Sequence, residues 1–181
     1  MRKHVLILTI IVLLTGTAIY QNYANANKQT DEAVKTGVRP GNAAPQFELA
    51  AWKDEAAKLR LGGTRQKPQL LNFWASWCGP CKAEAPDLQA LYQQYGSRVD
   101  IYAVNATKYD PYPEDIEAFL VKYRFTLPVL RDAQGDATDG YKVISFPTSF
   151  LIDGNGVIRD VVYGIIPRRE WEKKLNKLLE P

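Results

Sequence analysis

Two sulfurs set what this 181-residue chain can do: it holds only two cysteines, Cys78 and Cys81, and one histidine, His4. That inventory is too small for a tetrahedral Cys/His zinc site from one chain, or for a disulfide-rich scaffold. With His4 at the extreme terminus, the folded part has no His-based triad either. The cysteines stand as Cys78-Gly79-Pro80-Cys81, between an apolar run at 70–75 and a helical pattern that begins near Pro80. Cys78 therefore falls at a helix N-terminus, where unpaired backbone N–H groups and the helix dipole favour an anion. A thiolate is stabilised there, which lowers the thiol pKa from its free value of about 8.5 and makes a nucleophile near neutral pH. Gly79 lets a partner backbone approach, and Pro80 suits the first helical position because it has no N–H to satisfy. Cys81 lies one turn in and can close on Cys78. Thiol–disulfide exchange needs that pair: an exposed thiol that attacks and a second that resolves the mixed disulfide.

Other uses of the pair are less well supplied. A passive staple would close a ring of about four residues and contribute only ~2 kcal/mol, near the low end for disulfides. A metal site would need two more soft ligands, and covalent haem would need His at position 82, where Lys82 stands. A peroxidatic cysteine would have Pro seven and Thr three residues before it, but Leu71 and Ala75 stand there. Redox exchange is therefore the favoured reading and the staple its alternative; no metal and no other cofactor is expected.

The elements that must position the sulfurs alternate. Residues 47–52 and 59–61 read as short strands joined by the polar turn Lys53-Asp54-Glu55. The near-continuous apolar run at 70–75 suits a strand covered on both faces. A helix follows, with Ala85, Leu88, Leu91, Tyr92 and Tyr95 at helical spacing and Gly96 at its end. A strand at 99–104, a helix opened by Pro113, a short strand at 129–130 and a helical turn at 136–142 come next. Residues 147–152 and 157–163 flank Gly154-Asn155-Gly156 as a β-hairpin. Pro167 opens a last helix lined by Trp171, Leu175 and Leu178. The order predicts an α/β domain, a mixed sheet with helices on both faces.

At the amino end, Arg2 and Lys3 precede an apolar stretch from Val5 to Ile19. Positive charge before such a stretch keeps that end in the cytoplasm and sends the rest outside. A signal anchor over residues 1–20 is the preferred reading, although the stretch is short for a bilayer span. The alternative is a signal peptide cleaved after Ala26, since Ala24-Asn25-Ala26 fits the small-x-small pattern. Residues 21–44 read as a mobile polar spacer and 45–181 as the folded domain. Net charge is only +3, from 23 basic and 20 acidic residues, and no basic stripe suggests nucleic acid as a partner.

Residues 72–82, Asn-Phe-Trp-Ala-Ser-Trp-Cys-Gly-Pro-Cys-Lys, resemble the active-site stretch of the thioredoxin superfamily. The N-terminal anchor, the hairpin before residue 67, the inserted helix around 116–123 and Phe146-Pro147-Thr148 resemble its extracytoplasmic branch of TlpA- and ResA-type oxidoreductases. The resemblance implies a thioredoxin-like fold with an added N-terminal hairpin and an inserted central helix. It implies a cis bond at Phe146–Pro147 facing the sulfurs, with the Phe146 backbone free to pair with a client; an ordinary strand-start proline is the alternative. Trp77, Gly79, Pro80, Phe146 and Pro147 would then form the substrate-binding set. Where cytoplasmic thioredoxins carry a buried Asp, this chain has Asn72, while Glu84 matches an acidic residue of the ResA-like branch. Glu84 is expected to be partly buried and to exchange a proton with Cys81; the alternative is a solvated carboxylate favoured early in a helix.

Gly79-Pro80 places no charge between the cysteines, whereas strong oxidants of this fold usually have His there, so a dithiol reductant is expected. The expected protein is a monomer on the outer side of a bacterial cell membrane, or secreted if cleaved. By resemblance it reduces disulfides in exported proteins, apocytochrome c being the best-known class. Its electrons come from a membrane thiol carrier of the CcdA/DsbD type. An oxidase or isomerase on the same fold, and a non-enzymatic binding module, are the rival readings.

Overall fold

The structure, a computed structural model, describes residues 13–21 and 35–180. Residues 13–21 are helical and belong to a unit separate from the body, which starts at Lys35. Among the described residues no helix is long and apolar enough to cross a membrane. Most of the expected anchor, much of the spacer and the cleavage point after Ala26 lie outside the described residues.

The body is built on a seven-stranded sheet in the order β2-β1-β5-β4-β3-β6-β7. Its strands are β1 (Phe47–Ala51), β2 (Asp54–Leu61), β3 (Gln69–Trp74), β4 (Asp100–Asn105), β5 (Val129–Arg131), β6 (Thr148–Ile152) and β7 (Ile158–Tyr163). Its helices are α1 (Gly79–Tyr95), α2 (Pro113–Lys122), α3 (Asp136–Gly140) and α4 (Arg168–Leu178). The β3–β4 and β4–β5 pairs are parallel, while β1–β2, β1–β5, β3–β6 and β6–β7 are antiparallel. The expected mixed sheet, added hairpin and inserted helix are all present. The first hairpin reverses earlier than its polar residues suggest. Asp54 already belongs to β2 and pairs with Ala51, so the turn is Trp52-Lys53.

Strand β3 has both faces buried, and its alternation divides the core in two. Leu70 and Trp74 point to one cluster with Ala85, Leu88 and Leu91 of α1, Phe119 of α2, and Trp171 and Leu175 of α4. Leu71 and Phe73 point to the other, with Tyr102, Leu130, Phe150 and residues of the first hairpin. The three long helices thus share one face. The other is covered by the short α3, through Ala137, with Tyr141 at its end, and by Leu49 and Leu61.

Composition places residues 35–44 in the spacer, but they are seated on the body. Ala43 bridges Val157, and Gly41 N–H and Ala44 N–H donate to the carbonyls of Ile158 and Gly156. Backbone hydrogen bonds hold this segment, and they have no side-chain periodicity for a sequence to show.

Asp132 anchors the short α3. Its buried carboxyl group accepts from Thr138 N–H at 2.7 Å, from the Thr138 hydroxyl at 2.6 Å and from Ala137 N–H at 3.3 Å. Asp132→Ala would leave these donors unpaired in the interior, so it is expected to cost about 2 kcal/mol. The urea-unfolding midpoint measures the loss; a midpoint unchanged from that of the native chain would contradict this account.

Candidate active site

Cys78 is the N-cap of α1. Its sulfur accepts a hydrogen bond from the Cys81 backbone N–H at 3.1 Å, and Pro80 occupies the first turn. The two cysteines are joined in a disulfide with Cα atoms 5.2 Å apart. The strand-to-helix junction therefore places Cys78 Sγ where a backbone donor would meet a thiolate.

One expectation needs correction: Cys78 is not exposed. Both cysteines are only 3% accessible, while Trp77, Gly79 and Pro80 around them are open. The sulfurs pack into the core cluster shared by the three long helices, which is why their surroundings rather than their own surface face solvent. Trp77 makes edge contact with the Phe146 ring at 5.8 Å between centroids. The Phe146–Pro147 peptide is cis. Gly164 N–H donates to the Pro147 carbonyl, while the Phe146 N–H and C=O make no backbone hydrogen bond among the described residues.

Glu84 turns inward, away from this rim. It is 3% exposed, so the solvated-carboxylate reading does not apply. Asn72 and Ser149 sit opposite each other across the β3–β6 pair. The Asn72 amide nitrogen donates to both Ser149 Oγ and Glu84 Oε2, each at 2.9 Å. Glu84 Oε1 is buried and has no hydrogen-bond partner among the described residues. Burial raises the Glu84 pKa from 4.5 to about 7, against the smaller opposing pull of the Asn72 amide. The Trp171 indole also favours the charged form, although it does not reach hydrogen-bond geometry, and nearby Asp87 disfavours it. A carboxyl group with a pKa near 7 can take or give a proton at neutral pH. It lies three residues beyond Cys81 on the same helix.

Of the residues singled out from sequence, Trp77, Gly79 and Pro80 lie open around the buried Cys78 and Cys81, Phe146 meets Trp77 and packs on the same cluster, and Pro147 and Glu84 are buried. Sequence reasoning missed Ser149 as a partner in the Asn72–Glu84 pair. It also missed the buried Asp110, which accepts from Ser76 in the loop leading to Cys78. Neither has a local signal, because their partners are 77 and 34 residues away.

Comparison with known proteins finds relatives along most of the chain. The AhpC/TSA family model matches residues 40–161. The chain is 34% identical over 171 residues to thioredoxin-like protein YneN of Bacillus subtilis, covering 94% of each protein. It is 35% identical over 175 residues to thiol-disulfide oxidoreductase ResA of Oceanobacillus iheyensis, covering 95% of this chain and 85% of that one. The crystal structure of StoA from Bacillus subtilis superposes with a TM-score of 0.64 at 26% identity, over 72% of this chain and 97% of StoA. Joined cysteines at a helix N-cap, on a fold shared with these relatives, show that the chain belongs to the AhpC/TSA family as a thioredoxin-like thiol–disulfide oxidoreductase.

Proposed function

We propose that the protein reduces disulfides in exported polypeptides from the outer side of a bacterial membrane, held there by its N-terminal segment. The observation that carries the direction is the Cys78 environment. The residues between the cysteines, Gly79 and Pro80, carry no charge to stabilise the dithiol form, so the disulfide is the favoured state and the dithiol a donor of electrons. Cys78 thiolate attacks one sulfur of the client disulfide, forming a mixed disulfide and releasing the other client sulfur. Cys81 thiolate then displaces the second client sulfur, so two electrons pass to the client and Cys78–Cys81 becomes the disulfide seen here. The exposed Trp77 and the half-buried Phe146 would seat the client, with the unpaired Phe146 backbone available to it.

An oxidising exterior requires that the dithiol be regenerated, and a membrane thiol carrier of the CcdA/DsbD type is the proposed donor. Apocytochrome c, with its pair of haem-site cysteines, is the proposed client class on the resemblance to ResA-type proteins. Equilibrating the body from residue 35 onward with dithiothreitol buffers tests the direction. A reduction potential of about −250 mV or lower is expected, and one near −120 mV would make the protein an oxidant.

A further inference from the structure

The loop that carries Cys78 is gripped on its outer side by a turn that the exchange chemistry does not require. Residues Thr107–Tyr109 form a 3-10 turn after β4, and the chain runs on to Tyr112 before α2. Asp110 within it is 1% exposed. Its Oδ2 accepts from the Ser76 backbone N–H at 2.5 Å and from Asn105 Nδ2 at 2.9 Å, and its Oδ1 accepts from the Ser76 hydroxyl at 2.7 Å. A carboxyl group is costly to bury unless hydrogen-bonded, and two of these three donors come from the residue two before Cys78. Ala106 N–H adds a bond to the Trp74 carbonyl at 3.0 Å.

Trp77 spans the space between this turn and the Phe146–Pro147 loop. Its indole N–H donates to the Tyr109 carbonyl at 2.9 Å, while its ring meets Phe146. The Tyr109 hydroxyl donates to Asp139, which also accepts from Lys108, so these two charges are paired with each other. Trp77 and Tyr112 stay 55% and 59% exposed.

We propose that residues 107–112 are a second client-docking wall, across Trp77 from Phe146, and that Asp110 is the positioning residue that locks it to the nucleophile loop. The inference rests on the disulfide-exchange reading and specifies its substrate class. The occupant is the polypeptide segment that carries the disulfide, with apolar side chains beside its cysteines. Cys78 is nearly inaccessible, so a client sulfur reaches it only if that segment lies over the rings around it. Those rings are aromatic, which favours apolar side chains in the segment laid over them.

The test uses the full chain with dithiothreitol as electron donor and three disulfides. They are a peptide with leucine and phenylalanine beside its cysteines, the same peptide with serine there, and hydroxyethyl disulfide. The native chain is expected to prefer the apolar peptide by about tenfold in kcat/KM, mainly through KM. Asp110→Ala and Tyr112→Ser should each shrink that preference to about twofold through KM, and Ser76→Ala should shrink it less. An unchanged preference, or an equal loss for both peptides, would overturn the docking role. If Asp110→Ala does not fold, Tyr112→Ser and Ser76→Ala decide the matter on the same criterion. Absence of native activity towards all three disulfides would instead strike down the exchange reading itself.

Discussion

Cys78→Ser is expected to abolish client reduction, a loss of roughly 10³-fold or more, whereas Cys81→Ser should accumulate a covalent adduct with the client. The asymmetry follows from where the sulfurs sit. Cys78 caps α1 and its sulfur accepts the Cys81 N–H, so its thiolate is the one with a backbone donor to stabilise it. A serine hydroxyl at that place stays protonated and cannot attack. With Cys81 replaced, the attack still occurs, but no second thiol displaces the client, and the mixed disulfide persists. Intact-mass measurement after mixing the reduced variant with a disulfide client reads this directly. Adducts on Cys78→Ser rather than Cys81→Ser would reverse the two roles. Full client handling by the doubly substituted chain would favour the non-enzymatic binding module.

The second large effect is expected at Glu84. Its buried carboxyl group titrates at about 7 in the disulfide form, against 4.5 when solvated. Between those values the folded chain holds a proton that the unfolded chain has released. This contribution to stability is therefore complete below about pH 4.5 and is lost as the pH rises through 7, amounting to about 3 kcal/mol at most. Glu84→Gln removes the titration but can still accept from Asn72. The variant should thus gain on the native chain at pH 8 and match it at pH 4, in denaturant unfolding of the disulfide form.

The same substitution should slow resolution of the mixed disulfide by about 10²-fold at pH 8, where the native group is ionised and can accept the Cys81 proton. The inflection near pH 7 in the rate profile should disappear with it. A merely structural role would shift stability and leave that inflection in place. An identical pH–rate profile for the variant would end the proton-transfer proposal.

Much of this site was legible because its parts are close in sequence. Four consecutive residues make the cysteine turn, Pro80 starts the helix, Glu84 follows Cys81 by one turn, and Phe146 precedes Pro147. Strand β3 announced itself as an apolar run because both its faces are buried, and helical spacing marked α1, α2 and α4. These are local consequences of backbone geometry, and they suffice for the fold class and for the chemistry of two sulfurs.

Tertiary structure alone decided what surrounds them. Asn72 looked like a missing proton acceptor, yet the β3–β6 register sets it opposite Ser149 and beneath Glu84, where it is a donor to the carboxyl group. Asp110 has no local signal in the sequence, but packing brings both its oxygens to Ser76. Burial of the sulfurs under an aromatic rim, and the shift of the Glu84 pKa, come from desolvation by residues on separate elements. Periodicity and spacing report which face of an element is apolar. They carry no information on which distant side chain will remove water from a given charge, and in this protein that partner choice raises the Glu84 pKa and ties Asp110 to the loop before Cys78.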